Sequence, residues 1–281
     1  MEFTPVECNE TAYSEYSNLF ASCFPGVNKF NKEYLNWLYH KNPDGDAVGF
    51  DARDGDRLVA HYVCIPAIAQ IGNQEVRVLL SLNTATHPNY QGQGLFTKLA
   101  NLTYAAGKEQ AYDSVYGIAN ANSTPGFTRK LNFQLVGALR ACAGVGSLGI
   151  NFSSGKTPEF RRIWSQEALA WRCANPANPL FVKNGQDRAT FLAPALNSRA
   201  VLAAAEIDTI AHCGKASTFN SPLRIFIGMV PADWRRSSAY VDIPNRLRPS
   251  PLNLIYRSLS GRFENIDPDS VFLSFLDFDA Y

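Results

Sequence analysis

The stretch with the most chemistry is Thr84-Ala85-Thr86-His87-Pro88-Asn89-Tyr90-Gln91-Gly92-Gln93-Gly94-Leu95-Phe96-Thr97-Lys98-Leu99. It reads as the end of a strand, a glycine-bearing loop and the start of a helix. Glycines let successive backbone N–H groups turn the same way, and with a helix N-terminus they make a cradle for an anion. A pyrophosphate fits such a cradle. The loop lacks the Gly-Lys-Ser/Thr ending of a Mg-nucleotide phosphate loop and the third glycine of the dinucleotide fingerprint. Gly-x-Gly alone also suits a plain strand-to-helix turn, so both readings stand at this point. Two further side chains are candidates for proton transfer. His61, in Val59-Ala-His-Tyr-Val63, is a strand residue that can serve as acid or base, or as a satisfied half-core residue. Tyr116, in the strand-like run Ser114–Ala119, can serve as a proton donor, or as a core or ligand-stacking ring. Between positions 224 and 262 the chain carries Arg224, Arg235, Arg236, Arg246, Arg248, Arg257 and Arg262 against Asp233 and Asp242. Arginine favours bidentate phosphate contacts, so Arg235, Arg236, Arg246 and Arg248 are candidates to seat an anionic acceptor; a solvated basic face is the alternative.

The elements that must position these residues follow from periodicity and punctuation. Tyr13, Tyr16, Leu19, Phe20 and Cys23 recur at helical spacing over Thr11–Ser22. Asn31 caps a helix running to His40, and Pro43 ends it. Strands are expected at Ala47–Ala52, Arg57–Ile71 and Gln74–Thr86, and Leu95, Leu99, Leu102 and Ala106 mark one face of a helix after the loop. Ser114–Ala119 and Phe133–Cys142 read as strands flanking a short helical segment, Thr124–Leu131. This is not a regular βαβ alternation, so a doubly wound nucleotide-binding fold is disfavoured. The expected class is α+β, a mixed and largely antiparallel sheet with flanking helices. Farther on, Arg161–Ala174 and Val201–Asp208 read as helices; Ala189–Ala193, Arg224–Met229 and Val271–Leu276 read as strands.

Two segments resemble each other. Glu33, Leu35 and Trp37 precede Asn42-Pro43; Glu167, Leu169 and Trp171 precede Asn175-Pro176. Each is followed by a glycine turn between strand-like runs, Asp54-Gly55 and Asn184-Gly185. An internal duplication is expected, with its seam in the Gly- and Ser-rich 141–158 stretch. The halves are then residues 1–145 and 146–281, and the second half has no counterpart of Gln91–Phe96.

The 281 residues include 26 Lys and Arg against 25 Asp and Glu. That balance argues against a general nucleic-acid binder. With 46% hydrophobic and 18% charged residues, the chain is built to form a core. No run of about 18 apolar residues predicts a membrane span. Glu2 stands where a secretory leader needs a base, and no apolar stretch follows it. Cys8, Cys23, Cys64, Cys142, Cys173 and Cys213 are scattered without a Cys-x-x-Cys pair. A reducing, cytoplasmic setting with free thiols is expected, with neither a metal cage nor a disulfide frame.

His87-Pro88-Asn89-Tyr90-Gln91-Gly92-Gln93-Gly94-Leu95-Phe96 resembles the acyl-CoA loop of the GNAT N-acyltransferase superfamily. That pattern is Gln or Arg, two residues, Gly, one residue, then Gly or Ala; Phe96 departs at the last position. Asn122 and Leu131-Asn132-Phe133 resemble the family's later Asn and its Leu-Gly-Phe, with Asn132 in place of Gly. Trp37-Leu-Tyr39 before Asn42-Pro43, and Leu276-Asp277-Phe278-Asp279, resemble a subgroup of bacterial two-half members. The resemblance implies a GNAT-like acyl-CoA-binding first half and a degenerate GNAT-like second half that packs and serves the acceptor site. It implies acetyl-CoA, or another acyl-CoA, as co-substrate without metal. The acceptor is then a small amine, such as a nucleotide-linked amino sugar of polysaccharide biosynthesis. Ala85, Thr86, Gln91, Gly92, Gln93, Gly94, Leu95, Phe96 and Asn122 are the implied cofactor contacts. Asn83 falls where many relatives carry an acid, and is an implied acceptor contact; Thr128 falls where many carry a tyrosine. Three explanations stay open: other residues such as His61 and Tyr116 serve, water serves, or the protein binds an acyl ligand without catalysis, as a sensor or scaffold.

Overall fold

The computed structural model describes residues 1–153, 156–196, 198–219, 221–234, 236–248 and 250–278. In chain order its principal elements are β1 (Glu2–Pro5), α1 (Glu10–Cys23), α2 (Lys32–Tyr39), β2 (Val48–Asp54), β3 (Arg57–Ile71), β4 (Gln74–Thr86), α3 (Leu95–Glu109), β5 (Ser114–Asn120), α4 (Thr124–Lys130) and β6 (Gln134–Ala138). There follow β7 (Arg140–Val145), β8 (Phe160–Arg162), α5 (Gln166–Cys173), β9 (Phe181–Asn184), β10 (Ala189–Ala195), β11 (Ser198–Ile207), β12 (Lys215–Ala216), β13 (Leu223–Met229), β14 (Tyr240–Asp242), β15 (Leu252–Ser258) and β16 (Val271–Ser274). They divide into two compact units. One comprises Met1–Ile68, Val76–Leu135 and Ile255–Asn265; the other comprises Ala69–Glu75, Val136–Leu254 and Ile266–Tyr281.

In the first unit α1 and α2 each start on an asparagine cap, Asn31 where the sequence put it and Asn9 where it marked none. The Asn9 side chain accepts from Ala12 N–H at 2.9 Å to start α1, and Asn31 accepts from Tyr34 N–H at 2.9 Å to start α2. The helical stripe of α1 is buried at Tyr13, Tyr16, Leu19 and Phe20. β2 and β3 form an antiparallel hairpin across Gly55, whose φ of 58° favours glycine. β4 lies beside β3 and runs parallel to β5. The core joins Leu95, Leu99, Ala100 and Tyr104 of α3 to Val59 and Tyr62 of β3, Leu79 of β4 and Val115 of β5. Burying each such large side chain contributes about 1.5–3 kcal/mol, which fixes α3 against the strands that precede and follow it.

The second unit repeats that order of strands. β9 and β10 are antiparallel, β10 and β11 are antiparallel, and β11 runs parallel to β13 at Leu202↔Arg224 and Ala203↔Ile225. In each unit the hairpin follows a short helix and a buried asparagine before proline. Asn42 accepts from Asp44 N–H at 3.2 Å, and Asn175 accepts from Ala177 N–H at 2.9 Å. Where the first unit has a loop and α3 between its parallel strands, the described residues of 208–222 form only β12.

Two expectations for the second half are corrected. Of Val201–Asp208, all but Asp208 lies in a strand, not a helix. Its alanines suit a helix, but Leu202 through Ile207 are buried without interruption between neighbouring strands β10 and β13, a pattern of a strand covered on both faces. The helix expected over Arg161–Ala174 starts only at Gln166, capped by Ser165; Phe160–Arg162 pairs with β16 instead. The strand expected over Phe133–Cys142 is interrupted at Leu139 into β6 and β7.

Candidate active site

The parallel pair β4 and β5 is in register from Val78↔Ser114 to Ser81↔Gly117 and no farther, although β4 continues to Thr86 and β5 to Asn120. The two strands therefore part like a fork. At its base Gly117 fits closely: a Cβ there would stand 3.2 Å from Ser81 Cβ and 3.3 Å from Ser81 O, so β4 would have to give by a few tenths of an ångström. Ser81 Oγ lies 2.7 Å from Tyr62 OH, which lies 2.6 Å from Tyr104 OH, so the fork's base is tied to β3 and α3. Burial raises the hydroxyls of Tyr62 and Tyr104 well above the usual phenol range, and both stay neutral donors and acceptors.

β4 then leads through the loop into α3. His87 N–H donates to Val59 O at 2.8 Å and Gln91 Nε2 donates to Thr86 O at 3.4 Å, holding both ends of the loop to the strands. Gln91, Gly92, Gln93 and Gly94 are exposed. Gly92 has φ 78° and Gly94 φ 75°; a Cβ on either would meet nothing within 4 Å. Gly94 is the N-cap of α3, no side chain caps that helix, and its first turn has no acid. The helix thus offers uncapped N–H groups and the positive end of its dipole behind an open glycine turn, as an anion cradle requires. Phe96 anchors this first turn from below, edge-on to Tyr62 at 5.9 Å and to Phe127 of α4 at 5.1 Å.

The structure brings Ala85, Thr86 and Gln91 through Phe96 together along one continuous path. Ala85 is buried and Thr86 half-buried. Asn122 is exposed in the β5–α4 turn, its N–H bonded to Asn120 Oδ1 at 3.0 Å. Asn83 is half-buried in the part of β4 beyond its last pair with β5, with φ 46°. Asparagine tolerates that left-handed conformation better than most residues. Tyr116 is fully buried below the fork, opposite Leu80. His61 is fully buried as well, and both its ring nitrogens are engaged: Nδ1 lies 2.6 Å from Asp51 Oδ1 and Nε2 lies 3.0 Å from Tyr39 OH. Neither His61 nor Tyr116 presents a side chain to the solvent-accessible loop. Of the arginines, Arg235 lies outside the described residues. Arg236 Nη1 lies 2.7 Å from Cys142 Sγ, and Arg248 donates to Ile243 O at 2.8 Å, Leu139 O at 3.4 Å and Ala141 O at 3.5 Å. Arg246 is exposed in the 245–247 turn.

Three further residues belong to this region. Asp51, Tyr39 and Tyr16 converge on His61 from β2, α2 and α1, and Tyr39 is reached by Asn83 Nδ2 at 3.1 Å. Tyr16 reads in the sequence as part of the helical stripe of α1 and Tyr39 as part of the Trp-Leu-Tyr resemblance; their hydroxyls add a role that neither reading gives.

No group of His, Cys, Asp and Glu suited to a metal occurs among the described residues. No helix among them is long and apolar enough to cross a membrane. Residues 6–136 match the family model described as "Acetyltransferase (GNAT) domain". No curated protein matches the chain significantly. The chain is similar in fold to a GCN5-related N-acetyltransferase from Kribbella flavida, with a TM-score of 0.63 and 12% identity, covering 92% of this chain and 72% of that one. A GCN5-related N-acetyltransferase from Anabaena variabilis gives a TM-score of 0.58 at 12% identity, covering 92% of this chain and 73% of that one. A conserved Enterococcus faecalis protein described as a probable N-acyltransferase gives 0.56 at 10%, again covering 92% and 73%.

Proposed function

Residues 6–136 carry a GNAT acetyltransferase domain, and from that premise we propose that the chain transfers an acyl group, acetyl in the simplest case, from acyl-CoA to a small amine. One observation carries the reading: an exposed glycine turn with an uncapped helix N-terminus behind it opens directly beside a pair of parallel strands that part. A CoA diphosphate suits the turn, because Gly92 and Gly94 leave open space where any side chain would stand. Backbone N–H groups of Gln93 to Phe96 would hold it, with Gln91, Gly92 and Asn122 beside it. The unpaired edge of β4, at Ala85 and Thr86, would bond the pantetheine amides as an added strand does, and Ala85 N–H would polarise the thioester carbonyl.

A neutral amine then attacks that carbonyl carbon. Holding the two reactants together supplies up to roughly 7–11 kcal/mol of the barrier. With Asn83 and Thr128 in the expected places of acid and tyrosine, neither position takes the amine's proton. The proton leaves to water, and the thiolate recovers one from water.

The second half, residues 146–281, is a degenerate repeat in this reading: it keeps the strand order and lacks the loop, so it binds no CoA. Exposed Arg246 remains its candidate for meeting an anionic acceptor, such as a nucleotide-linked amino sugar. The absence of a carboxylate or tyrosine at positions 83 and 128 favours a second reading, acyl-CoA binding without transfer. A thiol-release assay with acetyl-CoA and a panel of primary amines separates the two. Amine-dependent release supports transfer; CoA binding with no release from any amine supports a sensor or scaffold.

A further inference from the structure

A chain of buried polar groups runs from the interior of the first unit to the fork, and the acyl-transfer reading leaves it unused. Asp51 is buried and accepts from two donors: Tyr16 OH at 3.0 Å on Oδ2, and His61 Nδ1 at 2.6 Å on Oδ1. His61 is held edge and face by Tyr16, Phe20 and Tyr39, whose ring centroids lie 4.3, 5.6 and 5.7 Å away, so it cannot turn. In the tautomer that gives its Nδ1–H to Asp51, the ring has a lone pair at Nε2. Tyr39 OH, 3.0 Å away and fully buried, is the donor to that lone pair. The Tyr39 oxygen can then only accept, and it accepts from Asn83 Nδ2 at 3.1 Å. The Asn83 amide thus sets its nitrogen toward Tyr39 and its Oδ1 away from it. That oxygen makes no hydrogen bond with the described residues, and Asn83 stands two residues beyond the last β4–β5 pair.

We propose that Asp51, His61 and Tyr39 are positioning residues that lock the Asn83 amide, and that Asn83 Oδ1 receives an N–H of the incoming amine and aims its lone pair at the thioester carbonyl. The inference rests on the acyl-transfer reading and names its acceptor class: an uncharged primary or secondary amine with an N–H to donate. The nitrogen forms the C–N bond, the C–S bond breaks, the nitrogen's surplus proton passes to water, and the thiolate takes a proton from water. Asn83 accepts a hydrogen bond throughout and takes no proton. His61 and Tyr39, both sealed from solvent, move none either.

The test is a mutant cycle on the best acceptor found in a panel of primary amines. Tyr39→Phe removes one oxygen and leaves the ring. It is expected to raise the acceptor KM about tenfold while the acetyl-CoA KM stays within twofold. Asn83→Ala is expected to do the same, and the double variant to be no worse than Asn83→Ala alone, because both changes remove one interaction. An unchanged acceptor KM in folded Tyr39→Phe, or additive effects in the double variant, overturns the proposal. A second measurement does not depend on turnover: the nitrogen-15 side-chain amide resonances of Asn83, read in the CoA complex with added ethanolamine. They are expected to shift with ethanolamine in wild type and not in Tyr39→Phe. Equal behaviour of the two proteins overturns the proposal even if the wild type acetylates nothing, the result that would by itself remove the acyl-transfer reading.

Discussion

Replacing Gly94 by Asp should weaken CoA binding by a calculable amount while leaving the fold standing. A Cβ at Gly94 meets no protein atom within 4 Å, so the substitution causes no internal clash. The φ of 75° charges any L-residue a conformational penalty of about 1 kcal/mol in stability. The binding effect comes from the carboxylate facing the diphosphate. Two unit charges about 5 Å apart repel by about 1 kcal/mol at the dielectric of water and about 3 kcal/mol at an effective value near 20. That range is roughly a 5- to 150-fold loss of affinity at low ionic strength, shrinking as salt is added. Gly55→Asp is the matched control. Gly55 has φ 58° and equally open surroundings, but it sits in the β2–β3 turn. Both variants should lose similar stability in urea titrations, and only Gly94→Asp should lose CoA affinity by calorimetry. A folded Gly94→Asp protein with undiminished affinity, or a Gly55→Asp protein weakened as much, refutes the argument.

Three further outcomes follow from the packing. Gly117→Ala sets a methyl 3.2 Å from Ser81 Cβ and 3.3 Å from Ser81 O at the base of the fork, and should cost about 1–3 kcal/mol by urea unfolding. Asp242 is held down to about 2, first by its hydrogen bond from Arg140 at 2.8 Å. Its contribution is therefore fully present above its ordinary value of 3.8 and is lost as pH falls through about 2. Because half of its side chain is exposed, solvent screening limits that contribution to about 1 kcal/mol, the difference that wild type and Asp242→Asn should show at pH 6 and lose near pH 2. Arg248→Ala strips a donor from the carbonyls of Ile243, Leu139 and Ala141 and should cost about 1–3 kcal/mol in thermal unfolding, whereas Arg246→Ala, at an exposed turn, should leave stability unchanged.

What was legible in the sequence was local. β3 and β4 showed as two long strand-like runs, Arg57–Ile71 and Gln74–Thr86, and the loop showed because glycines precede an amphipathic helix. Asn132 stands where the resembled Leu-Gly-Phe pattern has its glycine. It has φ 54°, which asparagine adopts more readily than most side chains, so the turn is kept. β11 was misread because Val201-Leu-Ala-Ala-Ala-Glu206 has helical composition, and only its burial between neighbouring strands decides for a strand. The chain Asp51–His61–Tyr39–Asn83 was illegible for a different reason. Its members are brought together from α2, β2, β3 and β4, and nothing in the spacing of 39, 51, 61 and 83 marks them as partners. His61 stood out only as a lone histidine, and its role depends on Tyr39, for which the sequence suggested no chemical role.

The central claim is that acyl-CoA lies on the glycine turn and along the parted edge of β4. Backbone amide resonances of nitrogen-15-labelled protein, followed through a titration with CoA, test it most directly. The account predicts the largest shifts at Gly92 to Thr97 and at Asn83 to Thr86, and none across β10, β11 and β13. Shifts concentrated in those second-unit strands, with the turn unmoved, would contradict it.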